Sequence, residues 1–276
     1  MTAGLEFGAC SDKGCVRENN EDSYSVAPEL NLFVLSDGMG GLAAGEVASR
    51  LAVETIVAHC REAEANPSLP FEGERVPGLS EASNRLASAV RLANKVVHET
   101  AEKNGAEQMG ATLDAVRFAG ERLSLVHVGD SRVYRLRGNQ MEQLTQDHSF
   151  VAEQLRLGRM TAEEAETSKL RNVLLRALGI DPAVELDVNE EMVVPGDTIL
   201  LCSDGLTREL TDAQIAATLS ENEDAKTAAG QLVDLAKQAG GGDNITAIVV
   251  RQIGGTAGLF ARVVRWFKKW EFGNFS

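Results

Sequence analysis

The sequence predicts an α+β protein built from packed β-layers flanked by helices, and three observations carry that reading. Strand-like and helix-like segments come in blocks and do not alternate, the strand-like runs are short and end in Gly-containing turns, and two long helical patterns stand together between the strand blocks. Residues 5–9, 23–27 and 32–35 read as strands, the last (LFVL) as a buried one because its apolar run is continuous. Residues 44–60 place Val47, Leu51 and Ile56 at helical spacing, and residues 79–102 repeat that pattern. The intervening residues 64–78 hold three prolines and two glycines and read as a surface loop within one domain.

Strand character returns at residues 111–120, 122–129 and 132–139, which suggests an antiparallel meander of hairpins. Residues 150–158 suggest a short helix. Residues 161–172 lack a strong apolar face and suggest a mobile flap or a helix pair over a cleft. Strands at 185–188 and 198–202, helices at 211–219 and 224–239, and a final apolar strand at 245–250 complete the order.

Charge and cysteine content narrow the function. The 27 basic residues stand against 41 acidic ones, giving a net charge of -14, which argues against phosphate-backbone binding and hence against a nucleic-acid partner. Cys10, Cys15, Cys60 and Cys202 show no CxxC spacing, so neither a zinc site nor a disulfide framework is expected. With no basic start leading into an apolar run and no stretch long enough to span a bilayer, the expected location is the cytoplasm.

The informative residues are acidic. Glu21 and Asp22, Asp37, Asp130, Asp204 and Asp243 each lie at a strand boundary, and each aspartate stands beside Gly or Ser, where a side chain can reach a cleft without crossing the core. Converging carboxylates repel one another, and an all-oxygen set without His or Cys suits two or three Mg²⁺ or Mn²⁺ ions. Gly38, Gly40 and Gly41 permit close backbone approach, with the Gly38 carbonyl as a further oxygen donor. Any one Asp-Gly pair alone is only a turn signal.

The motifs RENNEDSY, SDGMGG, GATL, VHVGDSR, LTQDHS, LLCSDGL and GGGDNIT, in that order over residues 5–251, resemble the bacterial branch of the type 2C metal-dependent (PPM) Ser/Thr protein phosphatases. The resemblance implies a central antiparallel β-sandwich with helices on both outer faces. It implies that Asp37 bridges two Mn²⁺ or Mg²⁺ ions, that the Gly38 carbonyl binds the second, and that Asp204 and Asp243 complete the first. Glu21 and Asp22 would act through water, and Asp130 would hold a third ion, shared with Asp204 and with the flap near Thr167 or Ser168. Arg17 matches the phosphate-binding arginine, and Thr112 would support the ligands from behind. The implied activity is hydrolysis of phosphoserine and phosphothreonine by direct attack of a water bridging two ions, reversing a bacterial Ser/Thr kinase.

Eukaryotic relatives carry a His directly after the Asp-Gly pair; here that position is Met39, as in the bacterial branch. That leaves the general acid open between water and His148. His59, His98 and His127 read as core or surface histidines. The rival from another class is a non-catalytic phospho-protein or metal-binding scaffold on the same fold, which would be expected to lose site acids. A phosphatase of a sigma-factor antagonist pathway would keep the chemistry and change the partner.

The expected domains are residues 1–253, the phosphatase-like unit, and residues 254–276, a hinge plus a basic amphipathic helix. Residues 259–270 place Leu259, Phe260, Val263, Val264, Trp266, Phe267 and Trp270 on one helical face, with Arg262, Arg265, Lys268 and Lys269 opposite. Such a helix suits a membrane surface, which would make the protein peripheral, or a protein partner, or packing on its own domain.

Overall fold

The computed structural model describes residues 4–40, 44–106 and 108–254. The expected hinge and terminal helix at 254–276 lie, from residue 255 onward, outside the described residues. In chain order the elements are β1 (Gly4–Asp12), β2 (Asp22–Ala27), β3 (Leu32–Met39), α1 (Ala44–Ala65), α2 (Glu81–Asn104), β4 (Gly110–Ala111), β5 (Leu113–Ala119), β6 (Arg122–Val128) and β7 (Arg132–Arg137). They continue as β8 (Gln140–Gln143), α3 (Phe150–Arg156), α4 (Ala162–Thr167), β9 (Asp187–Met192), β10 (Thr198–Cys202), α5 (Asp204–Thr207), α6 (Asp212–Glu221), α7 (Ala225–Ala239) and β11 (Ile245–Ile253).

Two antiparallel sheets stack face to face. One runs β1-β11-β10-β7-β8, the other β2-β3-β5-β6-β9, with β4 alongside β3. The period of two along each strand sorts the core into layers. In β3, Phe33 and Leu35 point into the layer between the sheets, where they join Val116, Leu125, Leu201 and Ile248. Its Leu32 and Val34 point outward and share a second core with Ala52 and Ile56 of α1 and Leu86 and Val90 of α2. On the other sheet, Leu200 of β10 and Val249 of β11 pack against Ala229, Leu232 and Val233 of α7. Both faces of the central strands are therefore covered, which is why LFVL and TILLC read as continuous apolar runs and not as alternating ones.

The helices are set by local signals. The Ser80 hydroxyl accepts a hydrogen bond from Ser83 N–H at 3.2 Å to cap α2, and Gly105, at φ 63°, ends it. Thr161 and Glu164 form a reciprocal capping box at the start of α4, as Thr211 and Gln214 do for α6.

The expected meander over residues 111–139 is only half present. β5 and β6 form a hairpin and β7 and β8 another, but β6 and β7 lie in different sheets. The chain changes sheet at Gly129–Ser131, where Gly129 has φ 115° and the Thr112 side chain would crowd any Cβ. Strands β8 and β9 are polar edge strands, so β8 gave no apolar alternation and β9 reaches Met192, well past the expected end.

Candidate active site

The acidic positions meet because of how the strands run. Asp22 and Asp37 are register partners at one end of the β2–β3 hairpin. Asp204 stands two residues after β10 and Asp243 two residues before β11; these strands are antiparallel neighbours, so both acids come to the same end of their sheet. Asp130 sits on the step that joins the two sheets. Asp37, Asp130, Asp204 and Asp243, with Glu21 and Arg17, line a cavity of about 500 Å³, while Asp22 is buried beneath it.

Hydrogen bonds hold these groups across the sandwich. The Ser203 hydroxyl donates to Asp22 Oδ2 at 2.8 Å and the Thr246 hydroxyl to the same oxygen at 2.6 Å, so Asp22 of one sheet is fixed by Thr246 of the other and by Ser203 just past its β10. Asp37 N–H donates to the Thr112 hydroxyl at 2.9 Å, Thr112 N–H donates to the Asp37 carbonyl at 2.8 Å, and the Thr112 hydroxyl lies 2.8 Å from that of Ser131. Gly38 lies so close to Gly45 and to the Glu21 backbone that a Cβ there would strike the Gly45 carbonyl. That contact explains why a glycine stands beside Asp37.

Burial shifts the carboxylates. Desolvation raises the pKa of Asp22 to about 6 and that of Asp204 to about 8, with neighbouring carboxylates adding to the rise. Asp37 is raised well above the usual range by burial and then by Asp22, Asp204, Asp130 and Asp243, and Asp130 is raised by burial against the opposing pull of Arg208. Two buried oxygens, Asp22 Oδ1 and Asp204 Oδ1, have no hydrogen-bond partner. Such a set calls for positive charge.

Two arginines supply part of it. Arg17 pairs with Asp243 through Nε at 2.9 Å to Oδ1 and through Nη2 at 2.9 Å to Oδ2. Arg208 pairs with Asp204 and, through Nη1 at 3.1 Å, with Asp243 Oδ2. As the side chains stand, no three His, Cys, Asp or Glu groups among the described residues close on one point that an ion would take. The donor chemistry nonetheless fits hard divalent cations, being all oxygen, mutually repelling and left with two orphaned buried oxygens.

Other sequence expectations fall outside the cavity. Thr167 ends α4, its hydroxyl donating to the Glu163 carbonyl at 3.0 Å, and the Ser168 hydroxyl accepts from Leu170 N–H at 3.1 Å. Of the expected flap, residues 161–172, Asn172 alone lines the cavity, joined by Leu174 two residues beyond it. His148 is buried, accepts from Gly129 N–H at 3.2 Å and faces Asp187 at 3.2 Å, so it braces the sheet-crossing step and does not line the cavity. His127 is a core histidine paired with Asp114 at 2.8 Å. Met39 does line the cavity.

Among the lining residues to which the sequence assigns no role, Asn244 and Arg208 make the contacts that shape the site. Asn244 accepts from Glu21 N–H at 2.8 Å and donates to the Lys13 and Asn19 carbonyls at 3.0 and 2.8 Å, tying the Arg17 loop to β11. Arg208 stands four residues after Asp204, a spacing that is informative only once residues 204–207 are known to form a helical turn.

Comparison with known proteins agrees with this geometry. The family model described as Protein phosphatase 2C matches residues 16–237. The Serine/threonine protein phosphatase PstP of Mycobacterium tuberculosis is 41% identical over 251 residues, covering 90% of this chain and 45% of that protein, so the chain spans about half the length of that relative. The Serine/threonine phosphatase stp of Listeria innocua is 36% identical over 88% of this chain and 94% of its own length. The crystal structure of the PstP catalytic domain in complex with two manganese ions is 37% identical, with a TM-score of 0.75, covering 90% of this chain and 98% of that one. Motif order, sandwich architecture and these matches over most of the length lead to one statement: the chain belongs to the protein phosphatase 2C family.

Proposed function

We propose that the protein is a Mg²⁺- or Mn²⁺-dependent phosphatase acting on phosphoserine and phosphothreonine in proteins. The observation that carries the reading is the convergence of five aspartates at one end of the sandwich, two with orphaned buried oxygens, beside the guanidinium of Arg17. Asp37 would hold two ions jointly, with Asp204, Asp243 and the Gly38 carbonyl as further ligands, Glu21 and Asp22 acting through water, and Asp130 serving a third ion. When bound, the ions would supply Lewis acidity and lower the pKa of nearby water.

The chain's own groups bind and orient. Arg17 is half exposed at the cavity edge, and its planar fork can exchange Asp243 for two phosphate oxygens. Ser203 and Thr246 aim Asp22, and Thr112 fixes the backbone of Asp37, so the carboxylates are held before substrate arrives. No cysteine or histidine lines the cavity among the described residues, which favours direct hydrolysis over a thiol- or imidazole-linked intermediate.

The test is hydrolysis of p-nitrophenyl phosphate and of a phosphothreonine peptide in Mn²⁺. Activity is expected to vanish with EDTA and in Asp37→Asn; equal rates in wild type and variant would overturn the reading. Opposition to a Ser/Thr kinase is part of the proposal, because a phosphoserine or phosphothreonine substrate requires a kinase to make it; the names of the relatives support the substrate class alone. No helix of the described residues is long and apolar enough to cross a membrane. For the tail, the pattern of residues 259–270 supports contact with an anionic membrane surface, since residues 258–276 carry four basic side chains against one acidic in a chain of net charge -14. Deleting 258–276 is expected to abolish co-sedimentation with anionic liposomes; unchanged co-sedimentation would remove this part.

A further inference from the structure

We propose that Arg208 is a resident counter-cation of the acidic site, holding Asp204 and Asp243 in the metal-free protein and yielding them when a divalent ion enters, so that it sets the affinity for Mn²⁺. The proposal rests on the reading of this site as a divalent-cation site.

Arg208 is the C-cap residue of α5, one helical turn after Asp204. That position carries its guanidinium back over the acid that opens the helix. Nη2 pairs with Asp204 and Nη1 lies 3.1 Å from Asp243 Oδ2, so one planar group spans acids from two strand ends. These two carboxylates are its only side-chain partners among the described residues. Its side chain is one-third exposed, against 12% for Asp204 and 20% for Asp243, so its head can leave for solvent while the acids cannot.

The contact is competitive by its geometry. Arg208 and Arg17 both donate to Asp243 Oδ2, while Asp204 Oδ1 stays without a partner. The acids are thus only partly compensated. A divalent ion drawing on Asp204 and Asp243 would need oxygens that Arg208 holds and would repel its charge at close range. Entry of the ion therefore carries the cost of breaking the Arg208 pairs, and by linkage the pairs weaken metal binding by the amount they stabilise the metal-free form.

Mn²⁺ titration by calorimetry and thermal unfolding, both on protein stripped with EDTA and dialysed, test this. Wild type is compared with Arg208→Gln, with Arg208→Lys, and with Arg61→Gln, which makes the same charge change at a surface pair with Glu29. Arg208→Gln is expected to bind Mn²⁺ about 3- to 10-fold more tightly, the worth of a part-exposed charge-assisted pair. It should also melt at a lower temperature without metal. Arg208→Lys, which keeps the charge and loses the fork, should fall between, and should carry the test if Arg208→Gln does not fold. Arg61→Gln should match wild type. Equal or weaker Mn²⁺ binding in both Arg208 variants, or an unchanged metal-free melting temperature, would overturn the role of Arg208 alone. Failure of wild type to bind Mn²⁺ at all would overturn the site reading and this inference with it.

Discussion

Asp22 shows what the site requires of single residues. It is buried, one of its oxygens takes two hydroxyl hydrogen bonds and the other takes none. A core built for stability would not keep such a group, because an unpaired buried carboxylate costs folding free energy. Arg17 differs: it is half exposed, and it pairs with Asp243, an acid that lines the cavity. Arg17→Ala is therefore expected to raise the KM for a phosphopeptide roughly tenfold, with a smaller fall in kcat, as loss of a bidentate phosphate contact implies. Steady-state kinetics at saturating Mn²⁺ check this, and an unchanged KM would remove Arg17 from substrate binding. At this scale the acids were legible because each stands at a strand boundary beside Gly or Ser. Arg208 and Asn244 were not, because their partners are set by a helical turn and by loops that meet only in space.

Among the elements, β9 is where an edge strand secures a helix. Glu190 of β9 accepts from Ser80 N–H at 2.7 Å and from the Ser83 hydroxyl at 2.6 Å at the start of α2, and pairs with Arg122 of β6 at 2.7 Å. Burial works to raise its pKa, but the hydrogen bonds from Ser80 and Ser83 outweigh it and hold the carboxyl at about 2, below its ordinary 4.5. A carboxylate depressed in this way stabilises the fold above its unfolded pKa and loses that contribution as pH falls through the folded value. Glu190→Gln is expected to cost about 1–3 kcal/mol at neutral pH, the scale of hydrogen bonds to a charged acceptor. The gap to wild type should close as pH falls from 4.5 towards about 2. Urea unfolding of both proteins across that range is the measurement; a constant gap would show that charge plays no part. The polar sequence DVNEEM hides how far this strand runs past residue 188, because its worth lies in hydrogen bonds to α2 and not in apolar alternation.

Across the whole molecule the layer between the sheets decides whether a site exists. Asp22 and Asp37 belong to one sheet and Asp204 and Asp243 to strand ends of the other, so the packing of Phe33 and its neighbours sets their separation. Phe33 is fully buried, edge-on to Phe118 at 5.9 Å between ring centroids and 5.7 Å from Phe7. Phe33→Ala should cost about 3–5 kcal/mol through lost burial and a residual cavity. The urea midpoint should fall at unchanged slope, whereas a loss under about 1 kcal/mol would mean that the layer closes over the gap.

The sequence by itself determined the apolar strands, the long helices and the acids at the strand ends, since apolar period, capping residues and Gly- or Ser-flanked aspartates are written within a few residues of one another. Only the tertiary structure decided that β6 and β7 part into different sheets, that Asn172 and Leu174 line the cavity, and that Arg208 spans Asp204 and Asp243. The physical reason is range: an apolar run reveals that a strand is buried on both faces, whereas its partner is fixed by packing between segments far apart in the chain.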